Sequence, residues 1–415
     1  MMSNNKPAIN AERLWNRLMQ MAQIGATPAG GCNRQALTDE DVAGRELFMS
    51  WCRDAGCEIR LDAIGNIFAR RAGRDPIAAP VMTGSHLDTQ PTGGKFDGIY
   101  GVLAGLEVME TLNDRGIETD HPVEVVVWTN EEGSRFDTAM MGSAVWSGAM
   151  PLEEAYQLRD LQGTSVENEL QRSGQLGANL PRQAVHAAFE LHIEQGPILE
   201  TENLEVGVVT GVQHMCRYRI TIRGQETHAG PSPMSLRRDP MMAVARILSE
   251  LYQVADAHAP DSRVTIGYIN AEPGSPNTVP GKVVFTADLR HRDAEQYQTM
   301  RAQCEHAVAA ACKALDLEGE ANCTWEAPGV SFDPDCIAAV KAAVHNRGYP
   351  AMEMISGAGH DACNIAAVAP ISMIFIPCEG GLSHNEAENI HPEHATAGAN
   401  ILLDAILERS LAQPG

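Results

Sequence analysis

Four short runs of this chain are too apolar to sit anywhere but inside a sheet: Val81-Met82-Thr83, Val123 to Trp128, Ala187 to Ile193 and Ile371 to Ile376. A strand with one wet face alternates polar and apolar residues, whereas a strand covered on both faces reads as a nearly continuous apolar run, the mark of a parallel sheet. Between the first two runs, Ile99 to Leu112 carries apolar residues at Ile99, Val102, Leu103, Leu106 and Met109, the period of a helix. Strand, helix and strand form a βαβ unit. Two helices are predicted ahead of it, an amphipathic one over Ala11 to Ile24 and one over Thr38 to Ala55 opened by a Thr-Asp-Glu-Asp cap.

A segment of different character interrupts this pattern. Met215 to Ile222 alternates like a half-exposed strand, Asp239 to Ala257 is helical, and Arg263 to Ile269 and Lys282 to Arg290 are strands. Ala294 to Leu315 is again helical, and a weak strand follows near Ala321 to Trp325. The order β-α-β-β-α-β is ferredoxin-like. A chain of 415 residues is too long for one comfortable core, so two domains are expected. The expected fold is α/β: a mixed, mainly parallel sheet domain over 1–212 and 330–415 with a ferredoxin-like α+β insertion over 213–329.

A net charge of −23 argues against nucleic acid or an anionic membrane, since both are bound through clustered Lys and Arg. The segment Met1 to Ala11 lacks an apolar stretch, and no run approaches the ~18 apolar residues that span a bilayer. The ten cysteines contain no CxxC pair and are expected to be reduced and mostly buried. A cytoplasmic location is the expectation.

Metal-capable side chains stand just beyond the predicted buried strands: His86-Leu87-Asp88, Glu131-Glu132, His192 and His384, with Asp97 on the loop before the helix. Singly, each reads as an ordinary surface or core residue. Open α/β sheets, however, gather ligands outside the carboxyl ends of their strands, so these distant groups can converge. Three imidazoles and two carboxylates suit a pair of ions about 3.5–4 Å apart, with Zn²⁺ first and Mn²⁺, Co²⁺ or Ni²⁺ as alternatives. Glu132 is assigned to the metals and Glu131 to proton transfer, because neighbouring side chains point different ways. Asp88 is expected to orient His86 through its other ring nitrogen.

The stretches GSHLDTQPTGGKFDGIYGVLAGLEV (Gly84 to Val108), WTNEEGSRF (Trp128 to Phe136), FELHIEQGPILE (Phe189 to Glu200), THAGPSPM (Thr227 to Met234), PNTVPGKVVFTADLRH (Pro276 to His291), GAGHDA (Gly357 to Ala362) and GLSHNEAE (Gly381 to Glu388) span most of the chain. Together they resemble the metal-dependent hydantoinase/carbamoylase amidases, relatives of the M20 aminopeptidases that include N-carbamoyl-L-amino-acid hydrolases, β-ureidopropionases and allantoate amidohydrolases. The resemblance implies two metals held by His86, Asp97, Glu132, His192 and His384, with Asp97 bridging, and Glu131 as acid and base. It makes the insertion a dimerisation and lid domain whose residues reach the active site of the partner subunit in a homodimer. There His228 donates to the reacting oxygen, and Asn277 and Arg290 hold the substrate carboxylate. Gln195 contacts the ureido end, and the Gly359 loop approaches the amino-acid moiety, with His360 and Asp361 as a supporting pair. Pro231-Ser232 departs from the two threonines of many relatives, which puts only the local loop shape in doubt.

The expected reaction is hydrolysis of N-carbamoyl-β-alanine or an N-carbamoyl-L-amino acid to the amino acid, CO₂ and ammonia. Allantoate amidohydrolase is the nearest rival, and an aminoacylase or dipeptidase a more distant one. A catalytically silent metal-binding scaffold would require a missing ligand or base, and every one of those residues is present.

Overall fold

The computed structural model describes residues 6–411. The chain divides into two compact units, one running to Gly211 and resuming at Ser331, the other covering Val212–Val330. The first unit opens with β1 (Glu58–Leu61), β2 (Ile67–Arg71), β3 (Val81–His86), β4 (Val123–Trp128), β5 (Ala187–Ile193) and β6 (Val206–Val212). The second unit follows with β7 (His214–Arg223), β8 (Thr227–His228), β9 (Arg263–Thr265), β10 (Ile269–Glu272), β11 (Thr278–Val279), β12 (Lys282–His291) and β13 (Glu318–Ala327). After β14 (Val330–Ser331) come β15 (Ala351–Ser356) and β16 (Ile371–Ile376).

The large sheet has the order β1-β2-β4-β3-β5-β16-β6-β14, with β15 also paired to β6. Its four inner strands, β4, β3, β5 and β16, are mutually parallel, and β1, β2 and β6 join antiparallel at the flanks. The inner four are the apolar runs expected from the sequence, and every residue in them is buried. Of the flanking strands, β1 and β2 carry charged residues and lack this signature, whereas β6, Val-Gly-Val-Val-Thr-Gly-Val, is another nearly continuous apolar run that the expected strands leave out. The helix expected over Ala11 to Ile24 ends at Met21, the strand begun at Val81 runs on to His86, and the helix from Ile99 extends to Asp114. Thr38 caps its helix as expected, its hydroxyl accepting from the amide of Asp41.

In the second unit, β10-β12-β7-β13 form an antiparallel sheet with β9 also on β12, and β8 pairs with β11 in a separate ribbon. The helices Pro240–Ala257 and Ala294–Ala314 share one core with the sheet through Tyr218, Ile220, Ile222, Val244, Ile247 and Phe285. The single strand expected over Arg263 to Ile269 is two pieces, separated at Gly267, where a residue without a side chain weakens a strand. The weak last strand is the full-length β13, bulged between Cys323 and Trp325.

The helix Ile99–Asp114 carries the main core. It is buried nearly all round, like a helix enclosed on every side rather than lying on a surface. That enclosure includes one charge, Glu107, whose carboxylate accepts from Arg13 Nε at 2.6 Å and Arg13 Nη2 at 2.8 Å, the Asn10 amide at 2.8 Å and the Thr111 hydroxyl at 2.9 Å. All ten cysteines are free thiols, and no helix among the described residues is long and apolar enough to cross a membrane.

Arg13→Ala strands the buried Glu107 carboxylate with two weak donors and is expected to lower the unfolding free energy by about 3 kcal/mol. Arg13→Ala combined with Glu107→Met should recover most of that loss. Urea denaturation followed by circular dichroism reads both, and a double variant no more stable than the single one would disprove the pairing.

Candidate metal centre

The parallel strands end on one line. His86 stands level with Trp128 on β4, and His192 on β5 stands level with Phe375 on β16. The chemistry therefore gathers just beyond the carboxyl ends, where the crossover loops leave the sheet. His86 is the last residue of β3, and its Nδ1–H donates to the main-chain carbonyl of Asp88 at 2.8 Å. His192 Nδ1–H likewise donates to the carbonyl of Ile193 at 2.9 Å. Each ring is thus fixed through one nitrogen, and Nε2 is aimed at the cluster. The Asp88 carboxylate does a different task from the one expected: it accepts from the amides of Glu131 and Glu132, each at 3.2 Å. The imidazole is oriented by the Asp88 backbone, a partner that residue identities alone do not disclose.

Asp97 lies at the mouth of the Ile99–Asp114 helix, next to Gly98, whose φ is 72°. A Cβ at Gly98 would come within 2.4 Å of the His86 ring, so both the conformation and the space demand glycine. One oxygen of Asp97, Oδ1, stands 3.7 Å from His86 Nε2 and 3.1 Å from His192 Nε2. The other, Oδ2, stands 3.4 Å from His384 Nε2, which is itself 3.2 Å from Glu132 Oε2. Two triads of donor atoms result, His86-Asp97-His192 and Asp97-Glu132-His384, each with its atoms within 4.8 Å of one another. Imidazole nitrogens and carboxylate oxygens in threes, joined by one shared carboxylate, fit a pair of divalent cations. Glu131 belongs to neither triad, yet its Oε2 is 3.5 Å from His86 Nε2.

The electrostatics match a donor set gathered around positive charge. Burial pushes the Asp97 carboxyl up, but hydrogen bonds from His192, His384 and His86 override it and hold the group well below the usual range. Asp97 and Glu132 raise His384 to about 10. Burial opposes protonation of His86, but the carboxylates of Glu131, Asp97 and Asp88 prevail and raise it. His192 is also raised, against its burial, by Asp97. Glu131 is pushed well above the ordinary range by burial and by Asp361, Glu132 and Asp88, despite His86. Burial raises Asp88 to about 7.

Supporting groups close around this core. Gln90 Nε2 donates to Glu132 Oε2 at 2.8 Å. Gln195, in the left-handed region at φ 57°, donates through Nε2 to Asp97 Oδ2 at 2.8 Å, while its Oε1 is buried without a partner. His360 and Asp361 are not one pair but face different partners. His360 Nε2 lies 2.9 Å from the Ser356 hydroxyl with its ring 4.7 Å from that of His192, and Asp361 Oδ1 accepts from the Ser143 hydroxyl. A Cβ at Gly359 would meet only the Met140 side chain, at 3.4 Å, so packing within the protein does not itself demand glycine there. Glu190 was not read from the sequence. It accepts from the Ser85 hydroxyl at 2.8 Å and the Ala362 amide at 3.0 Å, and with His192 and His360 forms a third group of close donor atoms. Its signal was a second polar residue two positions before His192 on an otherwise apolar strand, hence on the same face.

The remaining expected residues belong to the second unit. His228 is exposed, its Nδ1 accepting from the Gly230 amide at 3.1 Å, and it pairs with Thr278 in the β8–β11 ribbon, beside Asn277. Asn277 Oδ1 accepts from the Ser275 hydroxyl at 2.9 Å. Arg290, on β12, donates from Nε to Asp288 Oδ1 at 2.6 Å.

Residues 82–408 match the family model described as peptidase family M20/M25/M40. The chain is 49% identical over 405 residues to an N-carbamoyl-L-amino-acid amidohydrolase of Rhizobium meliloti, covering 96% of both proteins. It is 33% identical to an allantoate amidohydrolase of Bacillus subtilis, covering 93% of this chain and 94% of that protein. A crystal structure of a hydantoinase/carbamoylase family amidase from Burkholderia multivorans, 50% identical, superposes with a TM-score of 0.95 over 98% of this chain and 99% of the other.

Because the facing carboxylates favour the protonated form of His86, His192 and His384, binding of divalent ions must compete with protons. Calorimetric titration of the metal-stripped protein with Zn²⁺ at pH 7, in buffers of differing ionisation enthalpy, is expected to show net release of protons on binding. The sign follows from the raised imidazole values: affinity should fall as pH falls, since more protons then compete. Uptake without proton release would show that these imidazoles do not receive the ions.

Proposed function

The chain belongs to peptidase family M20/M25/M40 and is a hydrolase of amide C–N bonds, and on that premise we propose that it removes the carbamoyl group from N-carbamoyl-L-amino acids, releasing the amino acid, CO₂ and ammonia. The observation that carries this reading is the Asp97 carboxylate shared between two donor triads, with the Glu131 carboxyl beside them and outside both. His86, His192, Asp97, Glu132 and His384 would hold two divalent ions, Zn²⁺ first among Zn²⁺, Mn²⁺, Co²⁺ and Ni²⁺. Bound there, such ions supply an acidified water and a polarised carbonyl.

The chain's own groups do the rest. Glu131 takes a proton from the attacking water and returns it to the departing nitrogen. Burial among carboxylates raises its affinity for a proton, which suits it to hold that proton between the two transfers. His228 donates to the oxygen on which charge develops, Gln195 holds the ureido end, and Asn277 with Arg290 grips the substrate carboxylate. We assign these tasks to His228, Asn277 and Arg290, and a lid and homodimer role to the second unit that carries them, by likeness to the family. The higher identity to a carbamoylase than to an allantoate hydrolase favours the N-carbamoyl substrate. A β-amino-acid substrate differs by a methylene, usually worth only ~1–3 kcal/mol of discrimination.

Ammonia release from N-carbamoyl-L-amino acids, N-carbamoyl-β-alanine and allantoate, assayed with metal-loaded protein, tests the assignment; fastest turnover of allantoate would move the chain to the other activity. Glu131→Gln is expected to retain metal and lose about 10²–10⁴-fold in kcat, and near-normal turnover would mean that another group moves the proton. Arg290→Ala should raise KM far more than it lowers kcat, and unchanged steady-state constants would remove the carboxylate clamp.

A further inference from the structure

The motif Gly381 to Glu388 contributes His384 to the cluster, but its last residue has no part in the chemistry described so far. Glu388 is a buried carboxylate, 1% exposed, and it is spent on holding Asp97. Its Oε1 accepts from the amides of Phe96 at 3.0 Å and Asp97 at 3.1 Å, and its Oε2 accepts from the Ser383 hydroxyl at 3.0 Å. Space for it is reserved: a Cβ on Gly94 would lie 2.0 Å from Glu388 Oε1. One side chain thus fastens the loop that carries Asp97 to the loop that carries His384.

The Ser383 hydroxyl makes this contact more than a brace. It lies 3.0 Å from Asp97 Oδ2 and 3.0 Å from Glu388 Oε2, yet it has a single proton to give. Asp97 Oδ2 also accepts from Gln195 Nε2 at 2.8 Å. A carboxylate oxygen has two lone-pair directions, so with both donors in place none is left for a cation in the Asp97-Glu132-His384 triad. One donor must yield.

We propose that Glu388 is a positioning residue that accepts the Ser383 hydroxyl proton when a cation claims Asp97 Oδ2, so that the bridging carboxylate is freed while its backbone stays fixed. The proposal rests on the two-cation reading given above. Ser383 is then a rotor between two acceptors, and Glu388 supplies the second acceptor without moving.

Glu388→Gln separates this from a purely structural role. The Phe96 and Asp97 amides fix the glutamine with its carbonyl oxygen toward them, so its amide nitrogen faces Ser383 as a donor. The hydroxyl must then accept from Gln and keep its own proton on Asp97. Zn²⁺ titration of metal-stripped full-length protein, read against a competing chelator, is expected to show the Glu388→Gln variant binding one of its two ions about 10–100-fold more weakly. Adding Ser383→Ala to that variant removes the misdirected hydroxyl and should restore affinity to within about threefold of the parent, a rescue that a structural role does not provide. Ser383→Ala alone should bind Zn²⁺ at least as tightly as the parent, which keeps the test decisive if Glu388→Gln fails to fold. Parent-like affinity in Glu388→Gln, absence of rescue, or weakened binding in Ser383→Ala alone would each overturn the proposal. A parent protein that binds no Zn²⁺ would instead bring down the two-cation reading, and this one with it.

Discussion

A single carboxylate organises the first unit. Asp97 divides its two oxygens between two sets of donors, so the cluster can exist only if strands and loops from four separate stretches of sequence stop within a few ångströms of one another. The parallel sheet meets that demand by ending β3, β4, β5 and β16 along one line, and the buried helix Ile99–Asp114 meets it by delivering Asp97 at its mouth. Each imidazole on a strand is locked by a backbone carbonyl, which costs nothing in side-chain partners and leaves the acids free to face inward.

Concentrating acids in a dry pocket is unfavourable in itself. The fold tolerates it by distributing donors with care: amides of Glu131 and Glu132 to Asp88, amides of Phe96 and Asp97 to Glu388, and a hydroxyl and an amide to Glu190. These are mostly main-chain donors. They stabilise negative charge without adding cations that would repel a metal, and they tie loop conformation to the acids they serve.

Much of this was legible in the sequence where the physics is local. The four inner strands announce themselves because a strand covered on both faces has no room for polar residues, and His86, His192 and Glu131-Glu132 are conspicuous because they stand where those runs end. Glu388 is silent for the opposite reason: its partners are amides and a hydroxyl from other loops, and no spacing along the chain encodes such a meeting, whereas Glu190 leaves only the trace of a polar residue on the same strand face as His192. Asp88 shows the same limit from another side. The reading placed it correctly beside His86 but could not tell its carbonyl from its carboxylate. The flanking strands β1 and β2 were likewise silent, since their identity comes from the neighbours they pair with, while β6 has the apolar run of a buried strand.

The entry and exit of the second unit carry a last implication. In the first unit the Phe332 amide donates to the Thr210 carbonyl at 3.0 Å, and in the second Met215 pairs with Ala327 across β7 and β13. Each module therefore draws its own loose ends together, and the entropy of closing the long excursion is met within each module rather than charged to the other. Such a junction behaves like a socket: a domain of different sequence whose own ends lie side by side could be plugged in at the same place, and the sheet that hosts it would need no redesign.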